Sequence, residues 1–177
     1  MTPSHATLEA TTPARDRPDL PKGYISRSPR GLLTWADAEH ILRLGRFYWI
    51  ATTDADCRPH LIQQWGAWVD DAYWFEGSDR TRWARNLARD PRVGFGTQVG
   101  SRAVMCEGVV DVVRGVERDT AERIAAQYRG KYGSTFDYRP TPEQYMKGHA
   151  FRARPTKVIA FDLKLFNTSA TRFTFAG

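Results

Sequence analysis

The run Thr81-Arg82-Trp83-Ala84-Arg85-Asn86-Leu87, continued by Ala88-Arg89-Asp90-Pro91-Arg92-Val93, gathers guanidinium, amide and hydroxyl groups directly after an aromatic stretch, Tyr73-Trp74-Phe75. Ser78 to Thr81 offer the small hydroxyl and acidic side chains that cap a helix N-terminus, and Pro91 ends the run. A helix starting there presents backbone N–H groups without intrahelical acceptors, and Arg82 and Arg85 add positive charge beside them. Such a terminus can hold an anion, and phosphate is the natural guest. The competing reading is a solvated helix face whose arginines pair with Asp79 and Asp90. Spacing alone does not separate the two.

The elements that must position this helix follow from periodicity. Trp35, Ala38, Ile41, Leu42 and Leu44 have helical spacing, with Thr34 as N-cap and Gly45 as stop. Phe47 to Thr53 is rich in aromatic and β-branched residues and reads as a strand. Asp54-Ala55-Asp56 turns it into Pro59 to Val69, and Asp70-Asp71 turns again into Ala72 to Glu76, a three-strand meander before the arginine-rich helix. Arg92 to Gln98 and Arg102 to Val113 read as strands around Gly100-Ser101, and Val116 to Tyr132 as a helix stopped by Gly133. Ser134 to Gly148 reads as a loop with a short helix at Glu143 to Lys147. Lys157 to Phe166 and Ala170 to Phe175 close the chain as strands. About seven strands with few helices predict a mainly β (α+β) fold, an antiparallel barrel closed or nearly so.

The length of 177 residues suits one domain, and no internal repeat is visible. Residues 1–30 are expected to form a flexible leader rich in Thr, Pro, Ala, Arg and Asp, ahead of a barrel domain over residues 31–177. No continuous apolar segment marks a signal peptide or membrane span, so a cytoplasmic location is expected. Cys57 and Cys106 form no metal-ligand spacing, so neither zinc nor a disulfide framework is indicated. The net charge of +6 suits a polyanionic partner. No zinc-finger, basic-zipper or RNA-recognition pattern surrounds the arginines, so a small phosphorylated ligand is expected in place of specific nucleic acid or a membrane.

In their order along the chain these residues resemble the pyridoxamine 5'-phosphate oxidase-like flavin and deazaflavin oxidoreductases. Ile50-Ala51-Thr52-Thr53 with Arg58-Pro59-His60 is similar to that family's first hairpin, and Trp74-Phe75 with Thr81 to Leu87 to its cofactor-phosphate segment. Cys106-Glu107-Gly108-Val109 resembles its long strand, and Tyr128 to Gly133 its Tyr-x-x-Lys-Tyr-Gly helix end. Arg154 to Val158 and Ser169 to Phe173 resemble its last two strands. The match runs from about Leu33 to Phe175 and leans toward the branch that uses coenzyme F420. One position departs: Trp83 stands where the family's usual phosphate-binding lysine falls. Either the bidentate guanidinium groups of Arg82 and Arg85 replace it, with Trp83 stacking on a ring or merely packing, or the cofactor differs.

The resemblance implies a split β-barrel homodimer with two symmetric clefts and coenzyme F420, or alternatively FMN, as the redox group acting on a small-molecule substrate. It places His60, Gln63 and Trp65 near the cofactor, Gln63 at the ring edge, and Ser78, Thr81, Arg82, Arg85 and Asn86 around the phosphate with Trp83 at its border. The long arginine run through Arg89 and Arg92 suits the oligoglutamate tail of F420. Tyr128, Lys131 and Tyr132 either line a substrate mouth or form an amphipathic helix with an exposed lysine. No catalytic acid or base is assigned, and His5, His40 and His149 lack partners that suggest one. A non-catalytic cofactor-binding protein of the same fold is the remaining alternative.

Overall fold

Two long strands organise the sheet. In the computed structural model, which describes residues 12–175, the chain begins with β1 (Ala14–Asp16), α1 (Trp35–Leu44), β2 (Tyr48–Thr53) and β3 (Pro59–Gln64). It continues with β4 (Ala67–Val69), β5 (Ala72–Phe75), α2 (Arg82–Arg89), β6 (Arg92–Val99) and the long β7 (Arg102–Arg114). Then come α3 (Arg118–Phe136), α4 (Pro142–Lys147), the long β8 (His149–Asp162), α5 (Phe166–Ser169) and β9 (Thr171–Thr174). Every pairing is antiparallel, in the order β1-β9-β8-β7-β6-β2-β3, with the β4–β5 hairpin joined to β8 through β5.

The split arises on β8. One of its edges pairs with β7 throughout, whereas the other serves β5 at Phe151 to Ala153 and β9 at Lys157 to Ala160. Between the two partners the register shifts: Glu107 faces Lys157 but Gly108 faces Pro155, leaving Thr156 as an extra residue. A bulge bends and twists a strand, which lets one strand belong to two diverging sheets. A Cβ on Gly108 would overlap the Arg154 carbonyl oxygen, so only glycine permits this close approach. Pro155, which lacks an N–H, sits at the irregularity and so removes no regular ladder bond.

Two cores result. Tyr48, Ile50, Trp68, Tyr73, Phe75, Phe95, Phe151 and Phe173 fill the barrel with Ile41 and Leu42 of α1 and Trp83 and Leu87 of α2. Trp74 and Val69 pack outside it with Ile124, Tyr128, Tyr132 and Tyr145 of α3 and α4. β5 is therefore buried on both faces, which explains its unbroken aromatic sequence. α1 carries the expected cap, a capping box between Thr34 and Asp37.

Four expectations change. Part of the expected leader is built into the sheet: β1 pairs with β9, and the Arg17 guanidinium donates to the carbonyls of Ser28, Arg30, Thr168 and Ala170. Residues 1–11 of that leader lie outside the described residues. The strand expected over Pro59 to Val69 breaks at Trp65-Gly66, so β3 stays with β2 while β4 turns to β5 through Asp70 and Asp71, at φ 53° and 53°. α3 passes Gly133 and ends at Asp137, whose φ of 51° makes the left-handed stop. β8 starts at His149 instead of Lys157, because Pro155 can be carried at the bulge.

Gly108→Ala is expected to lower folding stability by about 1–3 kcal/mol, the usual cost of forcing a methyl group into packed structure. Urea unfolding checks this, and an unchanged midpoint would contradict the close approach at the bulge.

Candidate functional site

Thr81 caps α2 from extended backbone, its Oγ1 accepting the Ala84 N–H at 3.3 Å. The same hydroxyl donates to the Ser78 carbonyl at 2.8 Å, and the Ser78 Oγ accepts the Arg80 N–H at 3.2 Å, so Ser78 to Thr81 form a tight turn. The N–H groups of Arg82 and Trp83 remain without intrahelical acceptors. The first turn holds no acidic residue; Arg82 stands there, and Arg85 follows one turn on. Cations at a helix N-terminus oppose the macrodipole by roughly 0.3–1 kcal/mol each. An anion bound there would reverse that cost.

The buried side of α2 explains why it stands where it does. Trp83, Ala84, Asn86 and Leu87 are buried. The Trp83 ring lies 4.7 Å from Phe151 and 5.5 Å from Phe75, and a Cβ on Gly77 would come within 2.6 Å of it. Trp83 is thus turned into the barrel, away from the surface that Arg82 and Arg85 face. Asn86 Nδ2 donates to Thr52 Oγ1 at 3.0 Å in the interior, tying α2 to β2. Half-buried His60 lies directly across the hairpin from Thr52.

The arginines divide. Arg82 pairs with Asp54 at 2.8 Å while half exposed, and the Asp54 carboxyl is held below the usual range by the Arg58 backbone N–H and by Arg82. Arg89 donates to the Thr53 and Asp54 carbonyls at 2.6 and 2.7 Å. Arg92 clasps Asp90 and pulls its carboxyl down to about 2. Arg85 donates only to the Arg80 carbonyl, and among the described residues the Arg80 guanidinium has no partner. The pairing expected of a merely solvated face forms in part: Asp90 takes Arg92, whereas Asp79 joins no ion pair among the described residues. Arg82, Arg89 and Arg92 therefore all have partners within the protein; the Arg82–Asp54 and Arg92–Asp90 pairs lie on the surface, where an ion pair is weak and an anionic ligand can compete for the guanidinium.

Gln63 and Trp65 occupy a neighbouring place. They line a cavity of about 280 Å3 with Gln64, Glu76, Tyr128 and Tyr138. Trp65 stacks on Tyr132 at 4.6 Å and lies 4.7 Å from Phe136. The Gln64 side-chain amide donates to the Glu76 carbonyl, and from Glu76 only Gly77 intervenes before Ser78. The residues expected at the cofactor therefore form two adjoining groups: Ser78, Thr81, Arg82 and Arg85 on the exposed helix start, and Gln63 and Trp65 at the cavity. Sequence reasoning missed Gln64 and Glu76, and no spacing signal marks them.

The break between β3 and β4 is braced by α3. Gly66 N–H donates to Tyr132 Oη at 2.9 Å, and Lys131 Nζ donates to the Gly66 carbonyl at 3.0 Å and to Tyr48 Oη at 3.3 Å. Lys131 is therefore not the exposed helix lysine, and burial pulls its pKa from 10.5 to about 7. Cys106 is buried with its thiol pushed up by desolvation, and Cys57 is exposed. Among the described residues no helix is long and apolar enough to cross a membrane.

With this geometry in place, solved structures of the same architecture can be compared. A conserved hypothetical protein of Mycobacterium tuberculosis is 25% identical, with 82% of this chain and 91% of that chain covered at a TM-score of 0.62. An F420 reductase is 20% identical over 78% of this chain and 98% of its own, at a TM-score of 0.50. A pyridoxamine 5'-phosphate oxidase-related, FMN binding protein of Nostoc punctiforme is 12% identical over 80% and 94%, at 0.53. The chain has the split β-barrel fold of the pyridoxamine 5'-phosphate oxidase-like proteins. No protein-family model and no curated protein sequence matches it. Within this split barrel the start of α2 and the end of β3 lie side by side, where the resemblance places a flavin-type cofactor.

The lysine brace has a measurable signature. Between about pH 7 and 10.5 the unfolded chain keeps the Lys131 proton and the folded chain releases it, so this group's contribution to stability rises with pH through that window. Compared with Lys131→Met, the wild type is expected to gain up to about 1.4 kcal/mol per pH unit between about pH 7 and 9. Parallel stability curves for the two proteins would contradict a desolvated Lys131.

Proposed function

We propose that this protein is an oxidoreductase that uses coenzyme F420 as hydride carrier to reduce a small organic molecule, with FMN as the alternative cofactor. The observation that carries the reading is the start of α2: two unpaired backbone N–H groups, a hydroxyl cap, and Arg82 and Arg85 with no acidic residue in the first turn. That donor set fits a phosphate, which both cofactors carry. The fold of an F420 reductase and of an FMN binding protein adds to it.

In this reading Ser78, Arg82 and Arg85 hold the phosphate, Thr81 shapes the turn through its bonds to Ser78 and Ala84, and Arg80, free of protein partners among the described residues, meets further negative charge. Arg89 is committed to backbone carbonyls, whereas Arg92, like Arg82, sits in an exposed ion pair from which an anionic tail could draw it. Trp83 acts through its backbone N–H and as the buried anchor of the helix, so it need not replace the charge of a lysine. Asn86 fixes the helix against Thr52 and so positions those donors. Gln63 and Trp65 border the ring. When bound, a deazaflavin or flavin ring supplies hydride transfer, and the protein contributes orientation and exclusion of water.

The same reading includes a homodimer joined through the outer face of the sheet. Trp49, Leu61 and Met105 are 52%, 60% and 43% exposed on β2, β3 and β7. They share one face: Trp49 is paired to Gly96, which is paired to Met105, and Leu61 is paired to Ala51 two residues along. Beside them a cavity of about 640 Å3 is lined by Ala51, Thr53, Gly94, Glu107 and Thr156.

Fluorescence titration of the purified protein with F420 and with FMN tests the cofactor. Saturable F420 binding is expected, and Arg82→Ala with Arg85→Ala is expected to weaken it about 10- to 100-fold, equal to about 1.4–2.8 kcal/mol. Tighter FMN binding would select the alternative, and an unchanged affinity in the double variant would overturn the phosphate position. Sedimentation is expected to give a dimer at micromolar concentration and a shift toward monomer in Trp49→Glu; a monomeric wild type would contradict the shared face.

A further inference from the structure

The cavity at the end of β3 contains a carboxylate that the protein does not neutralise. Glu76 Oε1 accepts two phenol hydroxyls, from Tyr138 and Tyr145, each at 3.0 Å. Its Oε2 accepts no hydrogen bond from the described residues, and no Lys, Arg or His nitrogen among them lies within ion-pair distance. This occurs in a chain with 26 lysines and arginines and a net charge of +6, where unpaired carboxylates have many available partners. The neighbouring cavity wall is aromatic: Trp65, Tyr128 and Tyr138 line it together with Glu76, Gln63 and Gln64. Tyr138 lies 5.9 Å from Trp65 and 5.9 Å from Tyr128, in tilted and edge arrangements that form a corner. Tyr132 stacks on Trp65 and Phe136 lies 4.7 Å from it, contacts that hold the indole in place.

Aromatic faces around a carboxylate are the chemistry that binds an alkylammonium group: the rings attract the diffuse charge through their quadrupoles, and the carboxylate supplies the full counter-charge. A neutral or anionic group seated directly on Oε2 would leave that half-buried carboxylate desolvated and uncompensated, whatever occupies the side of the cavity at Gln63. The tyrosine hydroxyls stay protonated, because burial and the Glu76 charge both raise their pKa values, so they donate to Oε1 and leave Oε2 for the ligand. A volume of about 280 Å3 lies just under the usual range for ligand pockets and suits a small molecule or one end of a larger one.

We propose that this cavity binds a small organic cation, an alkylammonium or quaternary ammonium group seated between Trp65, Tyr128 and Tyr138 with Glu76 as its counter-ion. The site is distinct in charge from the anion site at α2, from which Glu76 is separated by only a few residues. It does not depend on the identity of the redox cofactor.

Calorimetric titration of the purified full-length protein with choline, and with its uncharged isostere 3,3-dimethylbutan-1-ol, tests the proposal without any cofactor present. Choline is expected to bind at least about tenfold more tightly than the isostere, and Glu76→Gln, which preserves shape and the two tyrosine bonds, is expected to lose about tenfold or more. Tyr138→Phe and Trp65→Leu are also expected to weaken choline, whereas Glu122→Gln, the same charge change on the exposed side of α3, leaves it unchanged. Equal binding of choline and isostere, binding that survives Glu76→Gln, or absence of binding by choline, tetramethylammonium and benzylamine alike would overturn it. Should Glu76→Gln fail to fold, the choline-to-isostere ratio in the wild type and in Tyr138→Phe decides the matter. Failure of F420 and FMN to bind would leave the result unaffected.

Discussion

The packing of Trp83 against Phe75 and Phe151 is the contact on which the proposed chemistry rests. A buried tryptophan at such a position is worth on the order of 3–5 kcal/mol, more than any exposed ion pair on the helix can contribute. It fixes the rotation of α2: once Trp83, Asn86 and Leu87 face inward, Arg82 and Arg85 must face outward. Gly77 leaves room for the indole, and the bulge opposite Gly108 keeps β8 bent so that Phe151 can reach it. The outward placement of Arg82 and Arg85 at the start of the helix is thus a consequence of core packing around Trp83.

Much of this architecture is legible in the amino-acid sequence. Thr81 and Pro91 delimit α2 to within a residue or two, and the helix of Trp35 to Leu44 and most strands fall where periodicity places them. The order of short motifs identifies the split barrel, whose fold the solved structures share. The misses have tertiary causes. Gly66 is the local sign of the break at Trp65-Gly66, but a lone glycine in a strand does not say that the chain leaves its sheet; the break is held by Tyr132 and Lys131 reaching across from α3. Gly133 looks like a helix stop but is carried inside α3, where Arg139 donates to its carbonyl. Pro155 hides the first half of β8, since a proline in a strand is acceptable only at an irregularity that sequence does not reveal.

The candidate site is legible in part and for the same reason. Arg82 and Arg85 can be placed because a capped helix start has a fixed geometry. The partners of the arginines cannot be read from type: Asp54 takes Arg82, backbone carbonyls of the hairpin turn take Arg89, and Asp90 takes Arg92. Glu76 acquires its character only from Tyr138 and Tyr145, more than sixty positions away. Opposite charges therefore stand side by side: a basic helix start and an acidic aromatic cavity, linked through Gln64 and Gly77. A bound molecule with an anionic part and a cationic neighbour would find both complemented, and the two features can orient one against the other.

The claim on which the account depends is that the first-turn amides of α2 bind an anion. Amide chemical shifts followed by NMR during titration with F420, FMN and inorganic pyrophosphate test it most directly. The account predicts that the largest changes common to all three ligands fall on the backbone N–H groups of Ser78, Arg82, Trp83 and Ala84. Changes that spare this turn and concentrate elsewhere on the barrel would contradict it.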